Sequence, residues 1–215
     1  MKQLLFTLII ISILTGCKTE KKESKVVINE LPLKTYFQNS ELPAALMGYT
    51  TKDGKMDWYA FGPSVWGGKD TINENNIFRI FSMTKAIGSV AALQLVEKGL
   101  IGLDDHLNEI MPEMTSIPII TKEGELVKAS NTITLRNLLT HTAGFGYDFF
   151  DAQLGNFDTT GWGYDDLPRL FEAGEKWHYG TNTDWVGKII EKVSGQNLED
   201  YFREHITGPL KMNST

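Results

Sequence analysis

Phe78-Arg79-Ile80-Phe81-Ser82-Met83-Thr84-Lys85 is the stretch on which the reading of this chain turns. Ser82 and Lys85 stand three positions apart, ahead of the apolar residues Ala86, Ile87, Val90, Ala91, Ala92, Leu93, Leu95 and Val96. In a helix that offset puts both side chains on one face, one turn apart, so an amine can reach a serine hydroxyl as base or proton relay. Apolar positions on more than one stripe predict a helix inside the protein. It should stop at Gly99, with Lys98 suited to the negative end of the dipole. Ser82 and Lys85 then lie near the helix N-terminus, where dipole and partial burial disfavour an ammonium and lower the lysine pKa. The same end offers a free backbone N–H to hold an oxyanion.

Before this helix, Ala44 to Thr50 and Met56 to Phe61 read as two strands, and Asp53-Gly54 between them predicts an antiparallel hairpin. After it, Asp104 to Met111 reads as a short helix capped by Asp104 and ended by Pro112. Lys122 to Ser130 suggests a turn or small hairpin around Gly124, and Thr134 a cap for a short helix carrying Leu135, Leu138 and Leu139. From Phe145 to Pro168 the chain is rich in Gly, Asp and aromatics, as suits an irregular loop that either packs as apolar filling or lines a substrate pocket. Trp177 to Asp184 opens a helix with Trp185, Val186, Ile189, Ile190 and Val193 on its apolar side and Gly195 after it. Asn197 caps a last helix with Leu198, Tyr201, Phe202 and Ile206 facing inward, before Pro209. No internal repeat is present.

The N-terminal segment is apolar from Leu4 to Leu14 and continues Leu14-Thr15-Gly16-Cys17. Such a run is too short to span a bilayer but suits the apolar region of an export signal, and Cys17 stands where bacterial lipoprotein processing attaches lipid. The other reading is an ordinary signal peptide cut elsewhere. Cys17 is the only cysteine, so no internal disulfide is possible. Residues 1–16 are expected to be a lipoprotein signal peptide, 17–40 a tether and 41–215 an incomplete domain that carries the Ser82 and Lys85 chemistry. Loss of Lys2 with the signal takes the net charge from −6 to −7, a mildly acidic body with no basic cluster beyond Lys18, Lys21 and Lys22. Those three suit a solvated linker, and nucleic acid is not an expected partner.

Four ordered blocks resemble the serine β-lactamase-like hydrolases, a family that includes class C β-lactamases, penicillin-binding carboxypeptidases and family VIII esterases. They are Phe78 to Lys85; Leu95-Val96-Glu97-Lys98-Gly99 with Leu103-Asp104-Asp105; Leu138-Leu139-Thr140-His141-Thr142-Ala143-Gly144; and Gly174 to Tyr179 with Pro209-Leu210-Lys211-Met212. The resemblance implies an α/β protein of the α+β type, with an antiparallel sheet flanked by helices and a mostly helical subdomain. It implies Ser82 as nucleophile, Lys85 as relay and Tyr179 as the phenol that moves the proton between serine and leaving group. Thr181 and Asn182 are implied in substrate binding. The family's usual Tyr-x-Asn is absent, since Thr181 occupies its third place and Asn182 follows one later. This departure tilts the expected substrate from a β-lactam or D-alanyl peptide toward a small ester.

A strand carrying Lys-Thr-Gly or a variant follows the helical region in that family, and the sequence reaches Thr215 without one. The resemblance therefore implies that the domain is incomplete, with only the first hairpin of its sheet. Two strands alone are marginally stable, so residues 17–215 are expected to fold poorly or to be inactive in isolation. His141, between two threonines, reads as structural, because Lys85 already fills the basic role. His178 adjoins Tyr179 and is expected to point away from it. His106 and His205 lie on predicted helix surfaces. Four scattered histidines lack ligand spacing, so no metal and no cofactor is expected. No Gly-x-Ser-x-Gly occurs, which removes a nucleophile elbow from consideration. The expected protein is an envelope-located, lipid-anchored serine hydrolase; the rival is a non-catalytic penicillin-recognising or cell-wall-binding lipoprotein.

Overall fold

Period-two alternation puts Tyr59 and Phe61 on one face of a strand, and there they meet a helix. In the computed structural model, which describes residues 30–50 and 52–215, Phe37 is buried and stacks on Tyr59 and Phe61 with ring centroids 5.9 and 5.5 Å apart. Phe37 belongs to α1 (Glu30–Gln38), and the two aromatic partners belong to β2 (Met56–Phe61), paired antiparallel with β1 (Ala45–Thr50) from Ala45↔Phe61 to Thr50↔Met56. The hairpin falls where alternation and Asp53-Gly54 placed it, with Gly54 at φ 79°. The expected tether is different from residue 30 onward. Phe37 gives that segment an apolar anchor and it is helical; residues 17–29, and with them Cys17 and the export signal, lie outside the described residues.

These elements fall in one compact unit, Met1–Asn76; Ile77–Thr215 forms a second. In the second, a 3₁₀ turn at Phe81–Met83 runs directly into α2 (Thr84–Glu97), which ends at Lys98 and the left-handed Gly99. The start and stop match the sequence reading, but the burial is one-sided. Ala91, Ala92 and Leu95 are buried, whereas Val90 and Leu93 are exposed.

The helix expected over Asp104 to Met111 is absent. Proline at the first helical position is favourable because its missing N–H would be unpaired there anyway, and Pro112 begins α3 (Pro112–Thr115) rather than closing a preceding helix. Asp104 is used elsewhere, taking Nε and Nη2 of Arg136 on its two oxygens at 2.7 Å each. Asp105 does cap locally, accepting from the Gly102 N–H at 2.6 Å.

The small hairpin around Gly124 is present as β3 (Ile119–Ile120) and β4 (Leu126–Val127). Thr134 opens α4 (Leu135–Leu139) with a full capping box shared with Asn137. Within the irregular aromatic segment Asp151 caps α5 (Ala152–Gly155), a turn the sequence reading did not anticipate. α6 (Asn182–Ser194) ends at Gly195, and α7 (Leu198–Phe202), capped by Asn197, passes into a π-helical turn over Arg203–Thr207.

Leu95 of α2, Leu135 and Leu138 of α4, Trp185, Ile189 and Ile190 of α6, and Tyr201 of α7 share one core with Leu107, Met114 and Ile133. α6 is its centre, packing against α2, α4 and α7. That packing fixes the start of α2 relative to the start of α6, the two ends that carry the candidate chemistry.

Candidate active site

Phe81 precedes the serine with φ 43°, a left-handed conformation uncommon for a residue with a side chain. The bend delivers Ser82 into the 3₁₀ turn, exposed to solvent, one turn ahead of Lys85. Among the described residues the Ser82 hydroxyl makes no hydrogen bond to Lys85 or Tyr179. Lys85 and Tyr179 do meet.

Two chain segments build the wall opposite Lys85, Thr140 to Tyr147 and Trp177 to Asn182. The His178 N–H donates to the His141 carbonyl at 2.9 Å, Gly174 N–H to Thr142 at 2.8 Å and Leu170 N–H to Gly144 at 2.8 Å. Gly180 lets the segments close up, because a Cβ there would overlap the Phe145 carbonyl and Gly146 Cα. The approach brings the rings of Tyr147 and Tyr179 to 5.7 Å between centroids. Lys85 Nζ stands 5.9 Å from the centre of the Tyr147 ring and 5.2 Å from that of Tyr179.

Partial burial alone would pull the Lys85 pKa down, as the sequence reading expected. The nearby phenol groups of Tyr147 and Tyr179 favour the charged form more than burial disfavours it, and the net direction is up. Lys85 Nζ thus lies near two phenol rings that favour its charged form over the neutral amine. Tyr147 was not singled out from the sequence: it lay in an irregular segment, and only the fold shows which of that segment's aromatics turns inward. It is buried, while its neighbours Phe149 and Phe150 are 65% and 71% exposed, the first stacked on it and the second edge-on. Trp177 is also exposed, so apolar ring surface borders the centre.

Thr181 and Asn182, implied in substrate binding, are buried, with Asn182 fully enclosed. The Asn182 amide nitrogen bonds Nδ1 of His141 at 3.1 Å and the Phe145 carbonyl at 3.3 Å. Its polar hydrogens thus go to the protein. His141, at φ 55°, lays its ring 4.7 Å from that of Tyr179 and 6.4 Å from that of Trp177. Burial, and then the charge of Lys85, push the His141 pKa down. His178 faces Phe171 and Asp151, with Nε2 3.8 Å from the carboxylate, so its ring has different neighbours from the Tyr179 ring.

The start of α2 thus carries an exposed hydroxyl one turn before Lys85, and Lys85 in turn lies near the rings of Tyr147 and Tyr179. The Beta-lactamase family model matches residues 44–215. The monacolin J acid methylbutanoyltransferase of Aspergillus terreus is 28% identical over 206 residues, 86% of this chain and 50% of the relative. The lovastatin esterase of Penicillium rubens is 33% identical over 166 residues, 67% of this chain and 40% of the relative. Unliganded simvastatin synthase from Aspergillus terreus superposes with a TM-score of 0.69 at 28% identity, covering 82% of this chain and 50% of that one. The chain thus spans about half the length of the relatives it matches. A match over this extent, together with the shared fold, makes the chain a member of the beta-lactamase family, with the β-lactamase and transpeptidase architecture.

Proposed function

We propose that the chain carries the nucleophile-bearing part of a serine acyl hydrolase or acyltransferase that acts on small esters. Ser82 Oγ attacks the acyl carbonyl while its proton passes to the oxygen of Tyr179, whose negative charge the Lys85 ammonium stabilises. The same phenol then protonates the departing alkoxide, leaving an acyl group on Ser82. Water or an alcohol takes the acyl group in the second step, with Tyr179 again moving the proton. No cofactor enters this scheme.

The single observation that supports the reading is Lys85 Nζ standing 5.9 Å from the centre of the Tyr147 ring and 5.2 Å from that of Tyr179, one turn after Ser82. Exposed Phe149, Phe150 and Trp177 suit an apolar acyl or alcohol portion. An esterase and an acyltransferase among the relatives favour an ester over a β-lactam or D-alanyl peptide.

The test uses the full-length protein with a chromogenic ester and a chromogenic β-lactam, each with and without added alcohol. Ester turnover lost in Ser82→Ala is expected. A stable adduct without turnover would instead mean a receptor, and neither turnover nor adduct would remove the enzymatic reading. Residues 1–215 alone should be inactive in the same assay, and turnover by them would refute that part. Lipid attachment at Cys17 is proposed on the Leu14-Thr15-Gly16-Cys17 sequence, and with it a location on the bacterial cell envelope. Cys17→Ser should move the protein from the membrane to the soluble fraction; an unchanged distribution would count against the anchor.

A further inference from the structure

An amide nitrogen carries two hydrogens, and both of those on Asn182 have a place to go. The Phe145 carbonyl can only accept, so the atom facing it is Nδ2, whose second hydrogen is left to point at His141 Nδ1. The reverse orientation would set Asn182 Oδ1 against that carbonyl, two acceptors face to face. His141 Nδ1 must then be the acceptor, and the ring proton sits on Nε2. Protonating Nδ1 would oppose two donors and strand an amide hydrogen of a fully enclosed side chain.

The locked ring has a definite neighbour. It lies 4.7 Å from the Tyr179 ring, on a residue whose carbonyl also holds the His178 N–H, next to Tyr179 in the chain. The groups that face it are Lys85 from α2, Tyr179 and Trp177 from the approaching segment, and Asn182 from α6. A neutral imidazole leaves Lys85 as the cation at Tyr179, whereas an imidazolium would add a second positive charge beside it.

We propose that His141 is a positioning residue for Tyr179, fixed by Asn182 as the neutral imidazole protonated on Nε2. This rests on the acyl-transfer reading of Ser82 and Tyr179. It gives the His141 of the Thr140-His141-Thr142 stretch a task in proton transfer, and it gives Asn182 a part that needs no contact with substrate.

Nitrogen-detected imidazole NMR on the full-length protein reads the tautomer directly. His141 should keep the Nε2-protonated neutral pattern between about pH 5 and 8, a range in which a free imidazole titrates. Ordinary titration, or a proton on Nδ1, would overturn the proposal. Two variants separate positioning from mere support. Asn182→Leu should lower kcat about tenfold with KM changed less than twofold, evenly across pH. Asn182→Asp supplies a carboxylate to Nδ1–H, so His141 should become a cation near neutrality and kcat should climb with pH through a new ionisation absent from the wild type. Equal, pH-independent losses in both variants would also overturn it. Fluorophosphonate labelling of wild-type Ser82 keeps the two levels apart. Labelling with a titrating His141 defeats the positioning role alone, whereas absence of labelling defeats the acyl-transfer reading and the positioning role with it.

Discussion

Two phenols on one ammonium are not equivalent, because Tyr179 stands on the segment opening α6 and Tyr147 in a buried loop. General acid–base groups contribute roughly 100- to 10,000-fold. Tyr179→Phe should therefore lower kcat by at least about 100-fold. Tyr147→Phe, which removes only a partner of Lys85, should cost on the order of tenfold in the same steady-state assay. Equal losses would mean that the two phenols share the proton. Ser82, Lys85 and Tyr179 could be named as candidates from the sequence, since a three-residue offset and an ordered block need no fold to be seen. Tyr147 and the charge state of Lys85 were not. They depend on groups 62 and 94 positions further along the chain being folded against α2, and the nearness of those phenols reverses what local burial and the helix dipole alone imply. The inward turn of Asn182 was hidden for the same reason, its partners lying 41 and 37 residues earlier.

Elements were legible wherever a local rule had no competitor. The Asp-Gly hairpin, the Thr134 cap and the glycine stops of α2 and α6 all depend on neighbouring residues, and all are present. Asp104 misled because it satisfies Arg136, 32 residues away, rather than the N–H groups beside it. A similar long-range pair offers a test. Glu172 accepts the backbone N–H of Ser130 at 2.6 Å and of Asn131 at 2.9 Å, joining the segment before α4 to the one leading to Tyr179. Burial would raise the Glu172 pKa, but these hydrogen bonds and Arg169 outweigh it and hold it below the ordinary carboxylate value. A pKa depressed on folding contributes stability above the unfolded value and loses it as pH falls through the folded one. Glu172→Gln should therefore destabilise by about 1 kcal/mol at neutral pH, allowing for solvent screening, with the difference closing in acid below about pH 4. Urea midpoints at both pH values check this, and a gap that persists in acid would mean that the charge is not what matters.

At the scale of the molecule, the α2–α6 packing is what turns separated motifs into a centre. Leu95, Trp185, Ile189 and Ile190 share one core, so the turn bearing Ser82 and the segment bearing Tyr179 are held by the same buried surface. The family architecture came from the resemblance of four ordered blocks; the one-sided burial of α2 could not be read, since its apolar residues fall on more than one stripe. Acyl transfer from an ester to Ser82 is the step on which the proposed function rests. Intact mass of the full-length protein, quenched during turnover of a slowly released ester and followed by peptide mapping, tests it. One acyl increment confined to the peptide containing Ser82, and missing in Ser82→Ala, is the predicted result; ester turnover with Ser82 unmodified, or an adduct that persists in Ser82→Ala, would contradict it.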